Sequence, residues 1–276
     1  MSAVSAAPAA HDLAPTTPRF MDAMKVQARV VHALILREVI TRFGRRNLGV
    51  LWLIAEPMIF TVFVAMLWSV AGLGERSGLP IFAFAVTGYT SVLMWRNTVG
   101  RCNYAILQNL NLLYHRNVKV IDLLLTRVII EVAGATGSLL ILTAGLVWLE
   151  RTPLPEDPLK VLAGLALLAW FSAGLGMVIG AAASLSELVD RIWHPTAYIL
   201  LPLSGAAFMV DWLPPAAREV VLILPMVHCL ELLREGYFGR FVTTHHDVPF
   251  VIVFNMLLTL VGLFLIRVAS RRVEGL

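Results

Sequence analysis

The chain has 276 residues, of which 58% are hydrophobic and only 14% charged. A water-solvated domain carries roughly 25% charged residues, so with a mean hydropathy of +0.79 the solvent for most of this length is lipid, and no stretch is left that is large enough for a nucleotide-binding domain. The net charge of +4 is informative through its location, because basic residues beside membrane spans set orientation.

Residues 1–19 are rich in Ala, Ser and Pro and lack an apolar core segment. They fail the pattern of a cleaved secretory signal and are expected to form a disordered cytoplasmic tail. Residues 20–46 turn helical and two-faced: Met24, Val31, Leu34 and Ile35 share one side, and Lys25, Arg29 and His32 another. With Arg37, Arg42, Arg45 and Arg46 behind it, this segment is expected to lie in the membrane interface as an amphipathic helix.

A helix needs about 20 residues to cross a ~30 Å hydrocarbon core. Six such runs follow within residues 47–276: Leu48–Leu73, Leu79–Thr98, Ile121–Leu149, Leu159–Ser184, Ile192–Val210 and Val248–Ile266. Val220–Leu230 is apolar but too short, carries Pro225, and is bounded by Glu219 and Glu231. Non-helical backbone at membrane depth survives only under protein cover or beside a water-filled cavity. Residues 212–240 are therefore expected to form an exterior re-entrant pair of short helices before the last span. The fold class is an all-α, multi-pass membrane protein with six spans.

The charge bias agrees with that count. Six spans put Arg19 through Arg46 on the cytoplasmic side, with Arg96, Arg101, Arg116, Lys119, Arg127, Arg191, Arg267, Arg271 and Arg272. Only Arg76, Arg151, Lys160, Arg218, Arg234 and Arg240 remain outside. Cytoplasmic loops carry the excess of Lys and Arg, so both termini are expected in the cytoplasm. Cys102 and Cys229 then fall on opposite sides, with no disulfide between them.

Chemistry-bearing motifs are missing. The sequence holds no G-x-x-x-x-G-K-[ST] phosphate loop, no G-x-S-x-G elbow and no H-E-x-x-H helix, so no catalytic, metal or cofactor-binding residue is assigned. No nucleic-acid partner is expected. Two acids lie within spans: Glu56 before Pro57, and Glu131 four residues after Arg127, a spacing that suits an ion pair on one helix face. An ion-coupled secondary transporter would use them as relays, and a non-transporting assembly subunit is a further alternative. Gly176 and Gly180 form a G-x-x-x-G, which favours close helix contact. Between the second and third spans, residues 101–120 combine Ile106, Leu110 and Leu113 at helical spacing with Gln108, Asn109, Asn111, Tyr114, His115 and Arg116. That is the pattern of a short cytoplasmic helix offering two faces to a soluble partner.

Arg37–Pro57, REVITRFGRRNLGVLWLIAEP, resembles the membrane subunits of ABC-2-type exporters, whose first span opens on a basic stretch, L-G-x-L-W and a following proline. Within that group Thr41–Gly44 and Glu56-Pro57 look most like capsular-polysaccharide export permeases. O-antigen and teichoic-acid permeases usually differ at both places, and a permease of that kind is the runner-up reading. Asn117–Arg127, NVKVIDLLLTR, is similar to the start of the family's third span. The resemblance implies a homodimer joined to two copies of a separate cytoplasmic ATPase, which would bind the ATP and Mg. It also implies a lipid-linked acidic polysaccharide as substrate, a periplasmic co-polymerase and an outer-membrane exporter as partners, and residence in the bacterial inner membrane. On that pattern Ile106, Leu110, Leu113, Tyr114, His115 and Arg116 couple to the ATPase. Arg37, Arg42, Arg45, Arg46, Trp52 and Glu56 form a substrate entrance, and Trp68, Tyr89, Trp95 and Trp212 belong to the channel and its gate.

Overall fold

The computed structural model describes residues 20–43, 49–72, 78–113 and 118–274. The expected tail 1–19 and the candidate residues Arg45, Arg46, Tyr114, His115 and Arg116 lie outside them. Among the described residues every regular element is helical. In chain order these are α1 (Phe20–Phe43), α2 (Gly49–Val70), α3 (Ile81–Ala105), α4 (Leu110–Leu113), α5 (Val120–Trp148), α6 (Pro158–Leu185), α7 (Glu187–Leu203), α8 (Pro215–Val221), α9 (Pro225–Phe238) and α10 (Val248–Glu274).

A helix stands at each of the six expected spans. Leu51–Val70, Val120–Trp148, Pro158–Leu185 and Val248–Arg272 are long and apolar enough to cross a membrane. The expected span at Ile192–Val210 starts earlier and stops sooner, because α7 opens at Glu187 and ends at Leu203. Ser186 sets that start: its side chain accepts from the backbone N–H of Leu188 at 3.3 Å, the usual means of satisfying an orphan donor at a helix N-terminus. Asp157 does the same for α6, accepting from Leu159 and Lys160 at 3.0 and 3.1 Å, with Pro158 at the first helical position where its missing N–H costs nothing.

Helix α6 is the hub of the bundle, packed against α3, α9 and α10. Its glycines set those distances. A Cβ on Gly180 would stand 2.6 Å from the Cys102 carbonyl oxygen, and one on Gly176 would stand 2.9 Å from Cys102 Sγ. The G-x-x-x-G thus seats α3 directly on α6. At the other end of α6, a Cβ on Gly164 would meet the backbone of Cys229 and Leu233 at 2.8 Å, which seats α9. Both cysteines are buried and free, as small packing residues.

The short apolar run Val220–Leu230 does not form one element. α8 ends at Val221, and Pro225 opens α9. Arg234, counted from the sequence among the charges on the exterior side, is fully buried in α9. Its guanidinium donates to the carbonyls of Gly205 and Phe208, both at 2.7 Å, and of Ala206 at 2.8 Å. It also lies 3.9 Å from the Phe84 ring centroid, a cation–π distance.

Candidate functional site

Where α3 ends and α1, α5 and α7 approach it, the bundle encloses a cavity of about 570 Å³. From α3 come Arg96, Asn97, Gly100, Arg101 and Tyr104, a recurrence at helical spacing that puts them on one stripe. α1 adds Glu38, Thr41 and Arg42, α5 adds Arg127, and α7 adds Trp193, His194 and Tyr198. This is the basic end of the molecule.

Its charges are held by pairs that cross between helices. Arg42 of α1 is ion-paired to Glu131 of α5, and its second nitrogen lies 3.7 Å from Glu56 of α2. Arg101 Nε is 3.6 Å from the same Glu131 carboxylate. Arg127 pairs with Glu38 of α1. The expected pairing of Glu131 with Arg127 along one helix is therefore corrected. Glu131 is buried between two guanidiniums from other helices, which satisfy a carboxylate better than one flexible neighbour on its own helix. Gln27 bonded to Asp122 and Arg37 bonded to Asn109 at 2.9 Å fasten α1 further, so its polar side faces protein as well as solvent.

Among the described residues, four guanidiniums, of Arg42, Arg96, Arg101 and Arg127, line the cavity against one carboxylate, that of Glu38, with Glu131 behind them. Arg96 lies 5.1 Å above the Tyr198 ring, and Tyr104 Oη is 3.3 Å from His194 Nε2. The last turn of α3 is fixed through Asn103, whose amide donates to Asp190 at 2.5 Å. A partly desolvated basic pocket of this kind attracts anions more strongly than exposed arginines do, since solvent and salt screen it less.

The other sequence-derived candidates divide. Trp52 is exposed on α2. Trp68 and Tyr89 meet with centroids 5.4 Å apart, and Phe84 continues the series to Trp68 at 6.0 Å and to Trp212 at 5.3 Å. Trp95 is not part of it: with 1% exposure it packs in the main core, because its face of α3 turns towards α6 rather than α2. Ile106 is also corrected, since it is buried in a core cluster with Cys102, Ala105 and Leu124. Leu110 and Leu113 are half-buried against that cluster. Among the described residues of this connection the exposed apolar side chain is Leu107, 48% exposed, on a 3-10 turn, Leu107–Asn109, that precedes the single turn of α4. Arg96, Arg101 and Arg127, which the sequence reading left outside the substrate entrance, join Arg42 as cations of the cavity. Their signal was the stripe 96, 97, 100, 101, 104.

Residues 29–238, which include every residue named as lining the cavity, match the ABC-2 type transporter family. The chain belongs to that family. It is 41% identical over 255 residues, 92% of its own length and 96% of the relative's, to the capsule polysaccharide export inner-membrane protein BexB of Haemophilus influenzae. Identity is also 41%, with the same coverage, to the capsule polysaccharide export inner-membrane protein CtrC of Neisseria meningitidis serogroup B. The polysialic acid transport protein KpsM of Escherichia coli is 26% identical over 247 residues, 88% of this chain and 94% of KpsM. In this ABC-2 protein the matched region takes in α1 from residue 29 onward and α2 to α9, and leaves α10 outside.

Proposed function

We propose that this chain is the permease subunit of an ATP-driven exporter that moves lipid-linked capsular polysaccharide across the bacterial inner membrane. The observation that carries this reading is 41% identity over 92% of the chain to proteins named for capsule polysaccharide export. Six helices, α2, α3, α5, α6, α7 and α10, are assigned as spans, with α8 and α9 as an exterior re-entrant pair and both termini in the cytoplasm. Two copies of the chain join two copies of a cytoplasmic ATPase that binds ATP and Mg, and a periplasmic co-polymerase and an outer-membrane exporter continue the path. Family membership removes the support for an ion-coupled transporter, and Glu56 and Glu131, its candidate relays, are both ion-paired.

In this reading the basic cavity receives the anionic group of the lipid-linked substrate. Guanidiniums bind phosphate bidentately, and Glu131 holds Arg42 and Arg101 in place before the anion arrives. The aromatic series of Tyr89, Trp68, Phe84 and Trp212 offers flat faces along which sugar rings pass towards the exterior. The turn around Leu107 takes the role of contact to the ATPase.

Co-purification with the cognate ATPase and vanadate-sensitive hydrolysis in proteoliposomes test the assignment; export that persists without the ATPase overturns it. Leu107→Asp is expected to reduce ATPase co-purification at least about tenfold, the loss of one well-buried apolar contact, with membrane insertion unchanged. Aspartate at Leu110 or Leu113 would disturb the half-buried packing instead. Undiminished complex with Leu107→Asp moves the contact elsewhere. For orientation, Glu219→Cys and Arg271→Cys, each placed singly at an exposed position, are expected to react with an impermeant maleimide from opposite sides of the membrane. Labelling from one side contradicts six spans.

A further inference from the structure

The chain passes from α9 to α10 through residues 242–247, VTTHHD, a strap held by side chains of α9. Glu235 accepts from Thr244 Oγ1 at 3.0 Å, and Glu231 accepts from the backbone N–H of His245 at 3.0 Å. Asp247 then opens α10, its carboxylate accepting from the backbone N–H of Phe250 at 2.9 Å. A cap orders the first turn of its helix, so whatever fixes the Asp247 backbone fixes the start of α10.

That group is His228 of α9. The Asp247 N–H donates to His228 Nδ1 at 2.9 Å, and His228 Nε2 donates to the Leu222 carbonyl at 2.7 Å. Leu222 follows the last residue of α8, where helix carbonyls lack intrahelical partners. The ring is buried and packs on Phe250 with centroids 5.1 Å apart. One imidazole thus ties the end of α8 and the start of α10 to α9. A backbone N–H only donates and a carbonyl only accepts, so these two partners fix the ring as the neutral tautomer with its proton on Nε2. A second proton, on Nδ1, would set N–H against N–H.

The charges around the ring come from every neighbouring element. The strap brings Asp247 and His246, whose Nδ1 lies 3.3 Å from Glu235. α9 itself brings Glu231, Arg234 and Glu235, and α6 brings Lys160, paired to Glu235 at 2.7 Å. Asp211 stands before α8, 3.5 Å from Arg218 and 3.1 Å from His245, and Glu219 of α8 is exposed. α10 has no ionisable residue before Arg267. A proton on His245 or His246 would face a carboxylate, so of these three histidines His228 is the one that loses a contact by gaining a proton. Burial outweighs the attraction of Asp247 and holds the His228 pKa below the ordinary imidazole value.

We propose that His228 is a proton-operated clamp on the exterior face: neutral, it docks the strap and the start of α10 on α9, and protonated, it releases them. The exterior end of the exporter then loosens when the medium outside turns acidic. A clamp that needs the neutral ring is at full strength above the ordinary imidazole pKa of about 6.5. It weakens as the pH falls from there through the lower pKa of the docked ring. The contacts lie within the chain; only their exposure to outside pH rests on the exterior placement of α8 and α9 proposed above.

Hydrogen exchange over residues 242–250 tests the clamp, read by mass spectrometry on the full transporter, chain plus ATPase, in nanodiscs at pH 7.5 and 5.5. Rates are divided by the intrinsic rate at each pH, so that they report local opening. Wild-type protection is expected to fall at least about fivefold at pH 5.5, because one unit below 6.5 a released imidazole is protonated about ten to one. His228→Asn offers an amide oxygen near the Nδ1 position and does not titrate; it is expected to keep the protection and lose the pH response. His228→Leu has no acceptor and is expected to be weakly protected at both pH values. Equal wild-type protection at the two pH values overturns the clamp. So does a wild-type pH response in His228→Asn, which would assign the response to Glu231, whose protonation frees the His245 N–H. The Glu219→Cys and Arg271→Cys labelling tests the exterior placement by itself, so failure of the clamp and failure of that placement are distinguishable.

Discussion

Arg234→Ala is expected to destabilise the protein by about 3–5 kcal/mol, the cost of removing one partner from a buried charged network. At its position the guanidinium closes three backbone carbonyls, of Gly205, Ala206 and Phe208, where the chain leaves α7. One turn earlier on α9, the buried Glu231 accepts from the backbone N–H groups of Val210 and His245 at 3.2 and 3.0 Å. The pair therefore ties two irregular segments, one after α7 and one before α10, to a single helix. Alanine leaves the three carbonyls without a donor, the Glu231 carboxylate without its neighbouring cation, and Phe84 without its stacked partner. Lysine keeps the charge but not the planar fork and is expected to recover less than half of the loss. Gly88→Ala acts on the same knot, since its Cβ would stand 2.8 Å from Arg234 Nη2. Detergent-extracted protein should show a fall in Tm of roughly 6–20 °C for Arg234→Ala, at the 2–4 °C per kcal/mol typical of this chain length. A Tm equal to wild type would show that Arg234 is not what holds this end together.

The second large effect belongs to Glu131. It neutralises Arg42 and Arg101 at once, so Glu131→Ala leaves two guanidiniums facing each other in a partly desolvated site. The expected loss is about 3 kcal/mol of stability, together with export activity. Charge exchange distinguishes a specific pair from a general charge effect. Arg42→Glu with Glu131→Arg should perform better than the sum of the two single variants, with a coupling of about 0.5–3 kcal/mol in a double-mutant cycle. Arg101 limits that rescue, because the exchanged arginine remains beside it. Strictly additive singles, or Glu131→Ala with wild-type Tm and export, would remove the network from the entrance.

How much of this was legible beforehand depended on the range of the interaction. The ends of α6 and α7 are written locally, in Asp157-Pro158 and in Ser186, because a cap acts over three residues. Gly176 and Gly180 announced a close contact, but not that Cys102 would fill it. For the basic cavity, the stripe on α3 was present in the sequence, whereas its partners Glu38, Arg42 and Arg127 come from two other helices. Trp95 and Ile106 were misplaced for a related reason. Both satisfy the composition expected of a channel or a docking helix, and only the neighbour on each helix face decides whether a side chain is buried.

By itself, the sequence determined the lipid environment, the approximate position of the long apolar runs, and, through L-G-V-L-W and the basic stretch before it, the ABC-2 resemblance. These are properties of contiguous residues, and hydropathy over about 20 residues reads them directly. Only the tertiary structure decided that Glu131 pairs with Arg42, 89 residues away, and that Arg234 is an internal clamp rather than a charge on the exterior surface. Periodicity states which residues lie on the same face of a helix; which faces meet is settled by packing among all the helices at once.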